Sequence, residues 1–243
     1  MIEEDVAFVE NRRRSFRGQS VQAADPWHKY AQGVIDSTAN EWFHRFGKQR
    51  GSRILNAGSG GRDHGIGTAM THLDLFESNL RNVETGLVAN IGDIPVESSY
   101  FDIVICVGSV INYADPIRAI RELARVLRIG GLLILEYERS ASFEHLRLAQ
   151  TCPACIRVES FYGSLATHLW VYGDGFINGL LAASGFSLLT ERRFHALSSV
   201  ALAITKSPRI ASKFTPGDSF LAQCWPLRLI ASNRILALEK FAD

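Results

Sequence analysis

Residues 101–107 read Phe-Asp-Ile-Val-Ile-Cys-Val, an almost unbroken run of apolar and largely β-branched side chains. A strand with one wet face alternates polar with apolar residues, whereas a run this uniform needs cover on both faces. That need points to a mostly parallel sheet with helices above and below it, and the flanking sequence supplies the parts. Short apolar runs at residues 53–56, 69–73 and, more weakly, 87–89 read as three earlier strands, and 132–137 as a fifth. Between the fourth and fifth, Ile117, Ile120, Leu123, Ala124 and Leu127 share one helical face. Pro116 suits the first turn of that helix, and Gly130-Gly131 lies past its end. A helix over 173–183 closes at Gly185, and residues 186–190 and 198–204 read as two final strands, an antiparallel pair at the sheet edge.

Outside this alternation the two ends look helical. Tyr30, Val34, Ile35, Trp42, Phe43 and Phe46 recur at helical spacing, with Gly47 and Gly51 bracketing the end of that stretch. The expected organisation is a helical cap over 1–50, a sheet domain over 51–206 with an inserted substrate-side segment at about 140–175, and a helical tail over 207–243, where a helix from Phe220 is interrupted at Pro226. The expected class is α/β: a Rossmann-like, mostly parallel seven-stranded sheet with helices on both faces and an antiparallel last strand.

The formal net charge of +1 over 243 residues gives no field to attract nucleic acid or anionic lipid, so neither is expected as a partner. The basic run Arg12-Arg13-Arg14, with Arg17 close behind, reads as a solvated helix face. No segment approaches the roughly 20 apolar residues of a membrane span. The first residues, acidic and then basic, lack the apolar stretch of a secretory signal. Four cysteines in no scaffold-like pattern read as reduced thiols in a cytoplasmic protein. Cys152 and Cys155 form a single CxxC with no second pair, which is too few ligands for zinc, so no metal is expected.

The chemistry concentrates in residues 54–65, Ile-Leu-Asn-Ala-Gly-Ser-Gly-Gly-Arg-Asp-His-Gly. A buried strand runs directly into Gly58-Ser59-Gly60-Gly61, where the chain must turn sharply and its backbone can approach a ligand closely. A dinucleotide fingerprint needs glycine at the sixth position from Gly58, and Asp63 stands there, which argues against a nicotinamide enzyme. Alone, such a loop can equally be just a tight turn. The second strand ends in Thr71-His72-Leu73-Asp74, and a carboxylate at that place is positioned to accept hydrogen bonds from both hydroxyls of a ribose. Asp74 could also cap a following helix, but paired with the glycine turn the nucleoside reading is the stronger.

From Ile54 to Glu138 the chain resembles the class I S-adenosylmethionine (SAM)-dependent methyltransferases, and most of all the bacterial small-molecule type. Residues 54–61 resemble the glycine-rich first motif and His72-Leu73-Asp74-Leu75 the acidic motif of the second strand. Residues 92–116 (GDIPVESSYFDIVICVGSVINYADP) resemble the motif leading into the fourth strand and its loop. Residues 120–138 (IRELARVLRIGGLLILEYE) resemble the helix-and-strand signature after it. Leu180-Leu181 followed by Gly185-Phe186 extends the likeness loosely. The chain departs from the family in carrying Asn56 where an acidic residue is common, Arg62 in place of a third glycine, Ile129 where Lys-Pro usually stands and Asn112 where histidine is frequent. Its link from the glycine turn to Asp74 is also short, leaving little room for a first helix.

The resemblance implies SAM as cofactor. It places Gly58 and Gly60 beside the methionine part, with Asn56 and Ser59 also among the cofactor-binding residues, Asp74 on the ribose and Leu75 on the adenine. Asn90, Ile91 and Gly92 fall at the adenine edge, and Cys106, Val107 and Gly108 on the methionyl side. Candidate residues for handling the acceptor come from segments that rim this site: Tyr30 in the cap, Asn112 and Tyr113 after the fourth strand, and His168, with Trp170 and Tyr172, ahead of the late helix. His28 is a further candidate in the cap. The expected acceptor is a small molecule, and aromatic residues such as Trp27 and Trp170 favour a partly apolar one. The departures motivate an alternative, a non-catalytic SAM- or nucleoside-binding partner protein. The tail could pack on the sheet, cover the pocket or mediate a homodimer.

Overall fold

The computed structural model describes residues 26–47, 53–143, 145, 152, 154–162 and 165–242. The basic run at Arg12–Arg14 and Arg17, and the first 25 residues of the expected cap, lie outside them. The framework is a seven-stranded sheet in the order β3-β2-β1-β4-β5-β9-β8. Its strands are β1 (Ile54–Ala57), β2 (Thr71–Asp74), β3 (Thr85–Val88), β4 (Phe101–Cys106), β5 (Leu127–Glu138), β8 (Phe186–Phe194) and β9 (Asn233–Lys240). Strands β1 to β5 pair in parallel, while β9 runs antiparallel to both β5 and β8. The expected α/β class, with seven strands and an antiparallel last one, is what the chain adopts.

Alternation divides the sheet into two covered faces. Ile54, Ile103, Ile105, Leu132 and Ile134 point to one, beneath helix α1 (Pro26–Trp42). Leu55, Leu73, Val104, Leu133 and Leu135 point to the other, against helices α2 (Pro116–Val126) and α3 (Asp174–Ala183). Helix α1 buries Val34, Ile35, Thr38, Ala39 and Trp42, one stripe at helical spacing. Helix α2 starts where Asp115 accepts from the amides of Ile117 and Arg118, with Pro116 needing no donor partner in the first turn.

Two expectations about the chain's last third are corrected. Residues 198–204 are not a strand but lie in helix α4 (Leu197–Thr205). Its β-branched residues mimic a strand, yet the free amides at its start are satisfied by a distant carboxylate: Asp218 accepts from Ala196 N and Leu197 N. The tail is not helical throughout either. After short helical turns at Pro208–Ala211, Asp218–Leu221 and Leu227–Ile230, it returns as β9 and inserts between β5 and β8. Leucine, alanine, glutamate and lysine in Asn233–Lys240 favour helix in isolation, but here both faces of the segment meet core, which decides for strand. The inserted segment contains a separate hairpin of β6 (Cys155–Tyr162) and β7 (Leu165–Tyr172), so Cys155 opens a strand, and His168, Trp170 and Tyr172 belong to one.

Candidate cofactor and acceptor site

The carboxyl ends of β1, β2 and β4 converge on one edge of the sheet. Gly58 has φ +74°, and a Cβ there would come within 2.5 Å of Val110, so only glycine can make this turn. The amides of Gly58 and Ser59 both donate to Leu73 O, at 2.8 and 3.0 Å, which fastens the turn to the end of β2. Ser59 Oγ accepts from Gly61 N, and Asn56, buried beneath, donates to Arg62 O. The neutral amide at residue 56 thus holds the far side of the loop closed.

Asp74 meets the same turn. Its Oδ2 accepts from Gly60 N at 2.9 Å, while Oδ1 accepts from Phe76 N and from Asn79 Nδ2. A carboxylate offers about four acceptor positions, so roughly one remains for a ligand hydroxyl. The next residue, Leu75, is more than a third exposed and presents an apolar face beside it. Asn90 Oδ1 accepts from Gly92 N, shaping the turn after β3. The side chains of Ile91 and Cys106 face the core instead, so only their backbones can border a ligand, and burial pushes the Cys106 thiol well up from its usual range. Val107 packs into the core on the α1 side. Gly108, with φ +88°, has among the described residues, its chain neighbours aside, no atom within 4 Å of where a Cβ would stand; its bare backbone fits close approach of a ligand.

Sequence reading missed Glu136, fully buried in β5. Its Oε2 accepts from Gly108 N (3.0 Å) and Ser109 N (2.6 Å), and its Oε1 from Asn233 Nδ2 (2.8 Å). Burial raises its pKa, and these three donors oppose that rise. The available signal was an acidic residue inside an otherwise apolar strand. Also missed was Asp36 on α1, which joins Arg62 Nη2 (2.5 Å) and His64 Nδ1 (2.9 Å), while Asn40 Nδ2 donates to Gly65 O. These contacts clamp α1 over the short 58–70 link, which contains no helix. Beside the link, a cavity of about 540 Å³ bordered by Gly61, Arg62, His64, His72 and Asn82 opens on the sheet face that a first crossover helix would cover.

The acceptor candidates do not gather at one point. Asn112 is buried and both protons of its amide are used: Nδ2 donates to Glu138 O and Trp170 O, and Oδ1 accepts from Glu138 N. It pins the loop after β4 to the end of β5 and to β7, and has no proton left to donate to an acceptor. Tyr113 packs with Val158, Leu169 and Val171 of the hairpin. His168 lies in β7 opposite Glu159. Tyr30 bonds through its hydroxyl to Ser219 Oγ at 2.7 Å, and burial raises its pKa. Tyr30 instead neighbours a histidine absent from the expected site, His195, whose ring centroid is 5.1 Å away.

Comparison with known proteins agrees with this architecture. Residues 52–135 match the family of the methyltransferase domain. No curated protein matches the chain in sequence. Among solved structures, it is similar to the 1,6-didemethyltoxoflavin-N1-methyltransferase of Burkholderia thailandensis, crystallised with 1,6-didemethyltoxoflavin and S-adenosylhomocysteine. That likeness has a TM-score of 0.60 at 12% identity and covers 100% of this chain and 92% of the other. The geranyl diphosphate C-methyltransferase of Streptomyces coelicolor A3(2) gives 0.52 at 14% identity, covering 84% and 79%. The [4+2]-cyclase SpnF gives 0.52 at 17% identity, covering 86% and 81%. Residues 52–135 carry the match to the methyltransferase domain, and the structural likenesses carry the fold, which is the one adopted by SAM-dependent methyltransferases.

Proposed function

We propose that the protein transfers the methyl group of SAM to a small-molecule acceptor, at an oxygen, nitrogen or carbon nucleophile. The observation that carries this reading is the 2.9 Å contact between Gly60 N and Asp74 Oδ2, which brings the bare-backbone turn and the carboxylate to one place. The toxoflavin-type and geranyl diphosphate acceptors named for two structural neighbours are small molecules, which supports the same class of acceptor here. SAM supplies a methyl group on a sulfonium, which is already strongly electrophilic. The chain's work is to hold and orient two molecules and to exclude water. Asp74 holds the ribose, Leu75 packs on the adenine, and the backbones of Gly58, Gly60 and Gly108 border the methionine part. Glu136 acts indirectly by fixing the Gly108-Ser109 turn.

Calorimetric titration with S-adenosylhomocysteine tests the site. Asp74→Ala should weaken binding by about 1–3 kcal/mol through lost charge-assisted hydrogen bonds. Unchanged affinity would show that this carboxylate does not hold the ribose. Transfer of labelled methyl from SAM to a panel of small hydroxyl, amine and activated-carbon compounds then tests turnover; binding without transfer to any of them favours the non-catalytic alternative.

A further inference from the structure

His195 directly follows β8, in the left-handed region at φ +58°, where few residues other than glycine settle. Strand β8 is parallel to β5, because both oppose β9. The register Phe194–Asn233–Glu138 sets His195 just past the level at which β5 leaves the sheet, on the same edge as Gly108. Two strand spacings, about 10 Å, separate it from β5. Two backbone bonds tie the segments together: Ser232 N donates to His195 O, and Arg139 N donates to Ser232 O.

The ring's hydrogen bonds determine its tautomer. Ser198 Oγ has a single proton and donates it to Asp218 Oδ2 at 2.5 Å. Its oxygen therefore accepts from His195 Nδ1–H, 2.9 Å away. Nε2 is left as a bare lone pair, and among the described residues it is buried with no hydrogen-bond partner. Burial, with His28 nearby, pushes the ring's pKa down to about 3, so the ring is neutral near neutral pH. The indole of Trp27 stacks flat on it at 3.7 Å, and Tyr30 meets it edge-on. A stacked indole covers the face of the ring, whereas the Nε2 lone pair lies in its plane. A buried acceptor left without a donor is costly, and it calls for an explanation.

We propose that His195 Nε2 is the positioning group for the methyl acceptor, a neutral aromatic molecule bearing a hydroxyl or N–H that donates to it. This rests on the reading above that the chain methylates a small molecule. The Ser198–Asp218 pair sets the tautomer, and Trp27 and Tyr30 supply an aromatic wall.

The test uses the full chain labelled with ¹⁵N-histidine, with and without S-adenosylhomocysteine, and with phenol, toluene and benzoate as probes. In the free protein the His195 ring should be the neutral Nδ1–H tautomer. Phenol should move its Nε2 resonance and toluene should not, and wild type should prefer phenol to toluene about tenfold. Benzoate should bind more weakly than phenol. His195→Phe keeps the planar ring and should lose the phenol preference; Ser198→Ala should give mixed tautomers. An Nε2–H tautomer in wild type, a phenol response no different from toluene's, or a preference that survives His195→Phe overturns the proposal. The wild-type spectra decide it even if a variant fails to fold. Absent S-adenosylhomocysteine binding would instead defeat the cofactor-site reading, while the cofactor-free spectra test the role of His195 separately.

Discussion

The two halves of the sheet are held together by different physics. On the β3-β2-β1 side, the turn and loops are fixed by backbone amides donating to nearby side chains and carbonyls, such as Gly60 N to Asp74 and Gly58 N to Leu73 O. Strand β3 is mostly exposed, and an open cavity borders the link where a helix is missing. On the β5-β9-β8 side, a buried ionic cluster replaces local bonding. Asp174 at the start of α3 accepts from Arg139 (2.8 Å) and Arg193 (3.0 Å), with Arg234 at 3.8 Å. Glu191 binds Arg234, Arg193 and Arg228. The comparison teaches that the half proposed to hold the cofactor stays open enough for a ligand to enter, while the far half locks β9 and β8 onto β5 as a rigid backing.

The largest effect that would break this contrast lies in the cluster. Asp174→Ala leaves nearly buried arginines at 139, 193 and 234 without their shared counter-charge and should cost about 3–5 kcal/mol of unfolding free energy in denaturant titrations. A loss below 1 kcal/mol would mean that the far half is not locked by charge. The same group makes a pH prediction. Burial pushes the Asp174 carboxyl up, but hydrogen bonding to Arg139 and the charges of Arg139, Arg234 and Arg193 outweigh it and hold the group at about 2, below the usual 3.8. A depressed folded pKa gives stability that is full above the unfolded value and is lost as pH falls through the folded one. Acid titration should therefore remove about 2 kcal/mol between roughly pH 4 and pH 2, and Asp174→Asn should abolish that portion of the slope.

Glu136→Ala comes next. It strands the amides of Gly108 and Ser109 and the side chain of Asn233, for an expected loss of about 2–3 kcal/mol in stability. Cofactor affinity should fall with it, because the released turn borders the proposed site; weaker stability with unchanged affinity would separate the two halves further. The smallest effect is expected at the cap. Asp36→Ala removes a half-exposed clamp to Arg62 and His64 and should cost no more than about 1 kcal/mol in a thermal melt. A larger loss would show that α1 substitutes structurally for the missing first helix.

Much of the local structure around the glycine turn and the β4 loop was legible because its causes are local. Gly58 needs a positive φ, Asp74 ends a short strand, and Asp115-Pro116 starts a helix, each within a few residues of its partners. The proposed acceptor side was not legible for the opposite reason. Asn112 looked available until Trp170, 58 positions on, claimed its amide, and His195 is read as a site only once Ser198, Asp218 and Trp27 surround it.

What the chain's linear order determined is the parallel core: an apolar run at 101–107 that must be covered twice and a glycine turn that cannot carry side chains. Only the tertiary structure decided that residues 233–240 become a strand and 197–205 a helix, against their local preferences. The reason is that burial between β5 and β8, and the distant carboxylate of Asp218, outweigh the fractions of a kcal/mol per residue that propensity contributes.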